Sequence, residues 1–419
     1  YAVRGSFETA GGIIAHGSNG NTNYVYNIGQ IVSAGRRGEI TGYGSYGSNV
    51  YILKNTPEEM LTGLGEAFIE DSEFKNLGFP ILKDLEYKSR MVNIENEEDL
   101  KNIIENLNSS VTSVVTINIA RDIAVSSDIG TINKFFGKFE GNNHTISGLT
   151  TPLITNNYGI ISNLIIKDSN IQIDVETDVG NSIASITAYN FGAVRKCENY
   201  ANIYSNKQII AGGIAGYNNI TGKIENCYNY GDVSSKNDCG GIAGECHGSI
   251  INCGNEADIT LLSDSVVYAA AGGILGRKSE GNVYKTYNKG YIKSLSTSNN
   301  VRAAGIVGTQ INNSIVKCSY NIGTIYINTS AGFSTTAGIV GHSDSNGIIE
   351  NCYNIGYVKN SARRGEIVGY SGAVNNVYTY NNTPDEILTI SEFEPDKTNL
   401  NLGYPTLAGL KYASETINV

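Results

Sequence analysis

The chain of 419 residues contains no tryptophan, two methionines and six prolines, and charged residues make up only 17% of it. Proline removes a backbone N–H donor, so its scarcity leaves the backbone available for hydrogen bonds between strands. Glycine, in contrast, contributes 49 residues and tyrosine 27. Glycine adopts the positive φ angles that tight turns require. This composition differs from that of an average enzyme domain and predicts many short strands joined by tight turns.

Positive charge and long apolar runs are also lacking. The formal net charge is −10 and the pI is about 5.0, so we expect neither nucleic acid nor an anionic membrane surface as a partner. No run of 18 apolar residues is present, which predicts no transmembrane helix. The first ten residues do not form a signal peptide, and they begin inside a repeat. We therefore interpret the chain as a piece of a longer protein.

A short repeat runs along most of the chain. A Gly-Gly-Ile-Ala-Gly-like segment recurs every 28 to 33 residues, and each copy precedes a segment similar to Asn-Cys-Tyr-Asn-x-Gly. The central isoleucines are Ile214, Ile242, Ile274, Ile306 and Ile339, with Ile367 in a degenerate sixth copy. Apolar residues alternate as in strands and do not follow helical spacing. Because one such repeat cannot bury its own apolar face, we expect the repeats to stack as coils.

The period predicts an all-β fold, a parallel β-helix (β-solenoid) with coils of about 28–33 residues and short capping helices. About eight coils, each rising roughly 4.8 Å, would form a rod about 40 Å long. Within a coil, Ile224, Asn226 and Tyr228 would share one strand face, opposite Glu225 and Cys227. The Tyr-Asn-x-Gly segments are predicted turns with left-handed asparagine or glycine. They occupy residues 228–231, 287–290, 320–323 and 353–356.

A longer duplication contains these repeats. Residues 7–16 match 333–342, the pair Arg36-Arg37 matches Arg363-Arg364, and residues 55–62 match 382–389, always 325 to 327 residues apart. We therefore predict that residues 1–88 are the C-terminal coils and cap of one solenoid unit. Residues 89–414 would form a complete unit, with 89–134 as its N-terminal helix and strand cap, 135–381 as its coils and 382–414 as its C-terminal cap. Residues 415–419 would begin a following segment.

Capping elements are predicted at the ends of the units. Thr56-Pro57-Glu58-Glu59 and Thr383-Pro384-Asp385-Glu386 each place Thr at the N-cap, Pro at N1 and Glu at N3, which is a capping box. Residues 97–107 carry apolar side chains at the spacing of an amphipathic helix: Leu100, Ile103, Ile104 and Leu107. Val115, Ile117 and Ile119 then alternate as in a strand. Such caps protect the exposed sheet edge at a solenoid end.

Residues 139–149, Phe-Glu-Gly-Asn-Asn-His-Thr-Ile-Ser-Gly-Leu, resemble the opening coil of GLUG-type repeat regions, and the repeats described above resemble their body. The resemblance covers about residues 135–380 and 1–54. It implies a right-handed parallel β-helix. GLUG-type regions occur in secreted and wall-attached proteins of Gram-positive bacteria, some beside immunoglobulin-A peptidase domains. They serve there as stalks, adhesive surfaces or spacers.

The seven cysteines do not predict a metal site. Cys197, Cys227, Cys253, Cys318 and Cys352 recur at similar positions in their coils, as expected of a stack of small buried residues. Cys239 and Cys246 flank a Gly-rich segment, and a disulfide between them would require the chain to turn. Cys239, Cys246, His247 and Cys253 lack the paired ligand spacing of zinc sites.

Other chemistry-bearing residues have simpler explanations. His16 and His342 occupy equivalent places, and neighbouring Ser343 would point to the opposite strand face, which prevents a catalytic relay. Asp174, Glu176 and Asp178 alternate onto one face, where they could form a carboxylate row or simply a solvated edge. The two Arg-Arg pairs are either solvated or dock a neighbouring unit. The recurrent tyrosines could stack on sugars, or on each other from coil to coil.

We therefore predict no catalytic, cofactor-binding or metal-binding residues. The sequence indicates a structural or adhesive segment (stalk, fibre or adhesin) of a secreted or cell-surface bacterial tandem-repeat protein, located outside the cell. Its expected partner is a host glycan, a host protein or another copy of itself. One alternative is a carbohydrate-active β-helix enzyme using Asp174, Glu176 and Asp178 or the acids of residues 245–264. The other is a passive spacer for a catalytic domain outside this chain.

Overall fold

A computed structural model describes most of the second half of the chain and parts of the first. The described residues are 9–11, 24–27, 36–38, 49–52, 57–70, 80–83, 91–109, 115–173, 181–262, 268–278, 280–296, 300–329, 332–359 and 361–412. The chain divides into two compact units, Tyr1–Arg90 and Met91–Val419.

The second unit is a parallel β-solenoid, which confirms the predicted fold class. Seven coils pass through four sheets in the same order, and the coil before them contributes strands to the first two sheets only. Each strand pairs in parallel with the corresponding strand of the next coil. Sheet 1 has eight strands: Ile132–Phe135, Ile154–Asn157, Thr187–Asn190, Ala215–Asn218, Ala243–Cys246, Leu275–Lys278, Val307–Gln310 and Val340–Ser343. This sheet shows that eight coils stack along its length within the described part of the unit.

Sheet 2 receives two short strands from most coils. Its 19 strands are Met91–Ile94, Thr116–Ile119, Ile123–Ala124, Lys138–Glu140, Thr145–Ser147, Ile160–Ser162, Ile165–Lys167, Ala193–Arg195, Glu198–Asn199, Lys223–Glu225, Tyr228–Asn229, Ser249–Ile251, Gly254–Asn255, Asn282–Tyr284, Tyr287–Asn288, Ile315–Lys317, Tyr320–Asn321, Ile348–Asn354 and Ala373–Thr379. Most of the paired short strands are separated by a corner of two residues.

Sheets 3 and 4 complete seven of the eight coils. Sheet 3 contains Asn170–Gln172, Asn202–Tyr204, Val233–Ser235, Ile259–Leu261, Ile292–Ser294, Ile325–Ile327 and Val358–Lys359. Sheet 4 contains Ser182–Ile183, Ile210–Gly212, Cys239–Gly240, Ala269–Gly272, Val301–Ala304, Thr335–Ala337 and Arg363–Gly365. The Gly-Gly-Ile segments form the sharp bend between sheet 4 and sheet 1.

A continuous apolar core lies inside the coils. The repeat isoleucines Ile214, Ile242, Ile274, Ile306 and Ile339 are fully buried and belong to this core. Burying one such side chain contributes roughly 1.5–3 kcal/mol. At the N-terminal end, helix α2 (Glu97–Ser109) contributes its four predicted buried residues to the same core. The amphipathic helix predicted from the sequence is therefore confirmed.

Each coil turns within sheet 2 at a left-handed residue outside the predicted turn segments. The positive φ falls on Asn226, Asn252, Lys285, Cys318 and Asn351, and not on the Tyr-Asn-x-Gly segments. Tyr228 and Asn229 form a strand with both side chains buried, and the predicted turn follows as a bend at Gly231, without a left-handed φ. Because the left-handed residue interrupts the alternation, Ile224 and Cys227 both face the interior, contrary to the predicted opposite faces.

The position of this corner shows that one of the five recurring cysteines, Cys318, is not equivalent to the others. Cys197, Cys227, Cys253 and Cys352 directly follow the left-handed residue, as expected for equivalent positions, but Cys318 is the left-handed residue of its own coil. Ser319 takes the cysteine position there, and its hydroxyl lies 3.0 Å from that of Thr286 on the preceding coil. The column therefore holds small side chains whose Sγ or Oγ atoms bond nearby carbonyls, for example Ser319 to Lys317.

The segment after the last coil folds back along the side of the solenoid. Helix α3 (Pro384–Ile387) begins with the predicted capping box at Thr383 and Glu386, and an antiparallel pair, Phe393–Glu394 with Thr406–Leu407, follows. Tyr287, Tyr320 and Tyr353 stack beneath this segment, with ring centroids 5.6 and 4.9 Å apart. All three rings are fully buried, which excludes them from stacking on sugars.

The described parts of the first unit repeat this arrangement. Strands Thr9–Gly11 and Arg36–Gly38 pair in parallel, as do Val25–Asn27 and Val50–Ile52, and Phe68–Ile69 pairs antiparallel with Ile81–Leu82. Helix α1 spans Pro57–Leu64. The Tyr26 hydroxyl donates to the Pro80 carbonyl, as the Tyr353 hydroxyl does to that of Pro405. The two halves of the sequence duplication thus share contacts as well as residues.

Candidate functional site

A ladder of buried asparagines runs through the Tyr-Asn-x-Gly segments. Except at the last member, each side-chain Nδ2 donates to Oδ1 of the asparagine one coil further on, over 2.7–2.8 Å. Each also donates to the carbonyl two residues ahead in its own coil, for example Asn288 to Gly290. The ladder contains Asn199, Asn229, Asn255, Asn288, Asn321 and Asn354, all with no exposed surface. Such fully paired buried amides fix the register of the coils.

The asparagine ladder explains the glycines of the other repeat segment. A Cβ atom on Gly213 would lie 2.3 Å from Oδ1 of Asn229, and one on Gly241 would lie 2.3 Å from Oδ1 of Asn255. Gly273, Gly305 and Gly338 face the next three asparagines in the same way. Only glycine fits this close approach. The Gly-Gly-Ile segments and the Tyr-Asn-x-Gly segments therefore pack against each other inside the solenoid.

A second buried polar column lies in sheet 1 and is less uniform. It begins with Asn157, Asn190 and Asn218, which bond one another over 2.8 and 2.7 Å, and continues through Cys246 to Lys278. Lys278 Nζ donates to the Glu280 carbonyl over 2.7 Å. Burial lowers the pKa of this ammonium group to about 8. These side chains are fully buried, so they stabilise the interior and are inaccessible to a ligand.

The outer face of the bend between sheets 4 and 1 carries the most chemically distinctive surface. In sheet 1, one residue of each strand is in register with its equivalent on the next coil along this bend: Tyr189, Tyr217, Glu245, Arg277, Thr309 and His342. On sheet 4, Arg302, Thr335 and Arg363 are in register on successive coils. We call Arg277, Arg302 and Arg363, together with the rings of Tyr268, Phe333 and Tyr370, the arginine–aromatic row.

Arg277 is neutralised within the row. Its Nε lies 2.9 Å from Oδ2 of Asp238, and a second guanidinium nitrogen donates to the Tyr268 carbonyl over 3.0 Å. Asp238 is almost fully buried and also accepts the Ala270 backbone N–H. Burial raises the pKa of Asp238, and the charge of Arg277 at ion-pair distance acts in the opposite direction. This pair ties sheet 4 to sheet 1.

Arg302 and Arg363 are held by aromatic rings. The Arg302 guanidinium lies 4.8 Å from the Tyr268 ring centroid, and the Arg363 guanidinium lies 5.0 Å from that of Phe333 and 4.2 Å from that of Tyr370. Arg302 also donates to Thr309 Oγ1 over 3.2 Å. Within the described part of the chain, neither arginine has a carboxylate at ion-pair distance; the arginines so paired are Arg121, Arg195 and Arg277.

His342 lies beside this row. Its ring stacks on Tyr370, with centroids 5.1 Å apart. Partial burial, followed by the charges of Arg302 and Arg363, lowers the pKa of His342 to about 4. The imidazole is therefore neutral at pH 7. Ser343 points inward and is fully buried, so the two side chains lie on opposite faces, as predicted.

The cysteine and histidine set considered for zinc is dispersed. Cys239 lies in sheet 4, Cys246 in the polar column of sheet 1 and Cys253 in sheet 2, whereas His247 contacts Glu245 over 2.9 Å at the surface. All seven cysteines are buried and free, including Cys239 and Cys246. Among the residues that the structure describes, no group of three or more His, Cys, Asp or Glu side chains could hold a metal ion.

The acids considered for catalysis are not assembled in the described region. Asp174, Glu176 and Asp178 lie outside the described residues, as does His16. Of the acids in residues 245–264, Glu245 lies on the outer face of sheet 1, and Glu256 accepts the buried Tyr287 hydroxyl over 2.8 Å. Asp258 accepts the Tyr291 backbone N–H. The described acids thus occupy separate places in the coil.

No known protein family matches the sequence, and no curated protein matches it. One similar solved structure is a candidate immunoglobulin A1 protease from Bacteroides ovatus, with 20% identity and a TM-score of 0.47; the match covers 77% of this chain and 93% of that one. Another, described as an IgA1 protease, has 16% identity and a TM-score of 0.46, and the match covers 72% of this chain and 22% of that one. Similarity at this level carries no information about activity.

No helix in the described ranges is long and apolar enough to cross a membrane.

Proposed function

We propose that this chain is a structural and adhesive segment of a secreted or cell-surface bacterial tandem-repeat protein, acting outside the cell without catalysis of its own. The observation that carries the proposal is the outer face of the bend between sheets 4 and 1. There the stacked coils present side chains in register along an extended line. A surface of this shape suits a long polymeric partner, either a host glycan or an extended host protein.

The interior supports the same proposal. The buried amides of the asparagine ladder bond one another and backbone carbonyls, so they stabilise the stacking of coils. Such one-dimensional stacking builds length, as in other solenoids. The resemblance to GLUG-type repeat regions, which occur in wall-attached proteins of Gram-positive bacteria, supports a location on the bacterial surface. Association with further copies of the chain would extend the rod into a fibre.

The test incubates the 419-residue chain with a panel of host and plant polysaccharides and with host extracellular proteins. Retained polymer or protein and newly released sugar ends are measured in the same wells. We expect saturable retention without new sugar ends. New ends would contradict the proposal and favour the carbohydrate-active enzyme. If neither retention nor new sugar ends were detected, the adhesive role would be contradicted, and a passive spacer or a self-assembling fibre would remain.

A further inference from the structure

Two arginines without a carboxylate at ion-pair distance lie near each other on one face of a chain whose net charge is −10. Arg277, Arg302 and Arg363 lie on three coils along the bend between sheets 4 and 1. The ion pair with Asp238 neutralises the first of these. The other two retain uncompensated charge within the described residues. A face of this kind attracts anionic groups.

The rings of the row contact the guanidinium planes, and at Arg363 they leave the donors available, whereas Arg302 uses one donor for Thr309. An aromatic ring contacts the flat face of a guanidinium, whereas the N–H groups point outward in its plane. Arg363 lies against two rings, and none of its guanidinium N–H groups is hydrogen-bonded within the described part of the chain. This geometry suits the two oxygens of a carboxylate.

The rings also present apolar surface to solvent. The exposed fractions are 52% for Tyr268, 61% for Phe333 and 44% for Tyr370. Exposed aromatic faces beside hydrogen-bond donors are suited to planar or ring-shaped ligands with a polar edge. The row therefore combines stacking surfaces with anion-binding donors along the solenoid axis.

The backbone around Arg302 is closed to a peptide strand. Val307–Gln310 in sheet 1 and Val301–Ala304 in sheet 4 each pair with a strand on both sides, so no edge is open there for a peptide to join by backbone hydrogen bonds. Within the described residues, Arg363–Gly365 is the last strand of sheet 4 and pairs on one side only, with Thr335–Ala337. Recognition at Arg302 must therefore use side chains, and the row offers stacking surfaces together with carboxylate-binding donors, a combination that suits a sugar polymer.

We propose that the arginine–aromatic row binds a carboxylated polysaccharide, with Arg302 and Arg363 holding carboxylates and the rings contacting sugar faces. Arg302 and Arg363 flank Thr335 in register, so they are two strand spacings apart, about 10 Å. They can therefore engage different sugar units of one chain. This inference rests on the proposed adhesive function and names the ligand class.

The experiment measures binding of the full 419-residue chain to oligogalacturonate of about ten sugar units by isothermal titration calorimetry at several salt concentrations. The matched probe is the fully methyl-esterified form, which keeps the sugar rings and removes the charge. We expect the acidic form alone to bind, and raised salt to weaken it. Arg363→Gln is expected to weaken binding about tenfold or more, since a charge-assisted contact is lost.

Arg364→Gln is the control, because Arg364 is the next residue on the same strand, is exposed and contacts no ring of the row. We expect it to bind as the unchanged chain does. Arg302→Gln is a second variant, and circular dichroism checks the fold of each. Equal binding of both probes, or equal losses from Arg363→Gln and Arg364→Gln, would overturn this inference but not the adhesive function.

Binding of a polyglutamate peptide in place of the oligosaccharide would overturn the choice of a sugar ligand. Arginine-dependent dimerisation, measured by analytical ultracentrifugation without any probe, would show that the row docks a second copy instead. Failure of every polymer and protein in the wider panel to be retained would instead overturn the proposed function itself.

Discussion

Asparagine has two different roles in each coil, depending on whether its backbone or its side chain is required. At the left-handed corner of sheet 2, asparagine alternates with lysine and cysteine, for example Asn226, Lys285 and Cys318. Only the backbone angle matters there, and several residues reach it at modest cost. In the asparagine ladder all six coils carry asparagine, because the amide must both donate and accept.

Removing one amide from the middle of the asparagine ladder tests its contribution to stability. In Asn288→Ala, the Gly290 carbonyl loses a donor, and Asn321 and Asn255 each lose a partner. Unsatisfied buried polar groups cost about 1–3 kcal/mol each, so we expect a loss of about 2–4 kcal/mol in the free energy of unfolding. Urea denaturation measures this loss.

Asn282→Ala on the same coil is the control, because Asn282 is exposed on its strand. It should change the free energy of unfolding by less than about 0.5 kcal/mol. Similar losses for the two variants would show that the ladder amides contribute no special stability.

At the level of single elements, polar side chains anchor the parts that close the solenoid. The carboxylate of Glu97, at the start of helix α2, accepts backbone and hydroxyl hydrogen bonds from Ser126 and Ser127 over 2.7–3.0 Å. The bonds to Ser126 and Ser127 lower its pKa to about 2. Helix α2 is thereby joined to a loop some 30 residues further along the chain.

This anchor predicts a pH dependence. Because the folded-state pKa of Glu97 lies below its ordinary value of 4.5, its stabilising contribution is present above about pH 4.5 and is lost as pH falls towards 2. Glu97→Gln should therefore lower the thermal midpoint at pH 7 and have little effect near pH 2. Thermal unfolding followed by circular dichroism at both pH values measures the difference.

Glu98→Gln, an exposed change on the same helical turn, is the matched control and should leave both midpoints unchanged. An equal effect of Glu97→Gln at pH 7 and pH 2 would exclude the carboxylate bonds as its cause.

The segment after the coils depends on tyrosine hydroxyls. The Tyr353 hydroxyl donates to the Pro405 carbonyl and accepts from Asn401 Nδ2 over 2.6 Å. Tyr353→Phe should lower stability by about 1–2 kcal/mol and raise amide hydrogen exchange in residues 401–407 specifically. Hydrogen-exchange mass spectrometry locates the change. Tyr357→Phe is the control, since Tyr357 is 63% exposed on the same coil, and protection lost equally throughout the coils would contradict a local role.

Over the whole molecule, the seven buried thiols report on the order of unfolding. They are buried and free, so a thiol reagent should label none of them in the native chain. It should label all seven once the chain is unfolded in roughly 6 M guanidinium chloride. A stack of coils in which each contacts its neighbours opens from its ends. In mild denaturant, therefore, Cys352 near the last coil should react before the central Cys253.

Peptide mapping of labelled cysteines measures this order, and Cys253 serves as the internal reference. Simultaneous labelling of both thiols would indicate that the coils unfold as one cooperative unit. Fewer than seven reactive thiols in denaturant would show that a disulfide is present.

The periodicity predicted the solenoid because strand pairing repeats with the sequence, coil after coil. The left-handed residues were predicted at the wrong positions, because asparagine is compatible with a left-handed turn and with a buried ladder equally well in a single copy. Comparing coils distinguishes these roles: the corner accepts Asn226 and Lys285 alike, whereas asparagine recurs at the position of Asn288 on six successive coils, from Asn199 to Asn354. The arginine–aromatic row could not be predicted, since Tyr268, Arg302 and Arg363 are distant in sequence and share no motif.

Length variation in this solenoid is confined largely to one corner. Between the strands of sheet 4 and sheet 1 the chain uses two or three residues, whereas between sheet 3 and sheet 4 it uses from three to nine. Tyr268 and Phe333 both lie in these longer connections, beside the arginine–aromatic row. Loops tolerate insertion at small entropic cost when the strands around them keep their pairing. Under the binding role proposed above, this corner is where sequence change can alter ligand preference. An engineer can graft a new loop there while the asparagine ladder stays intact.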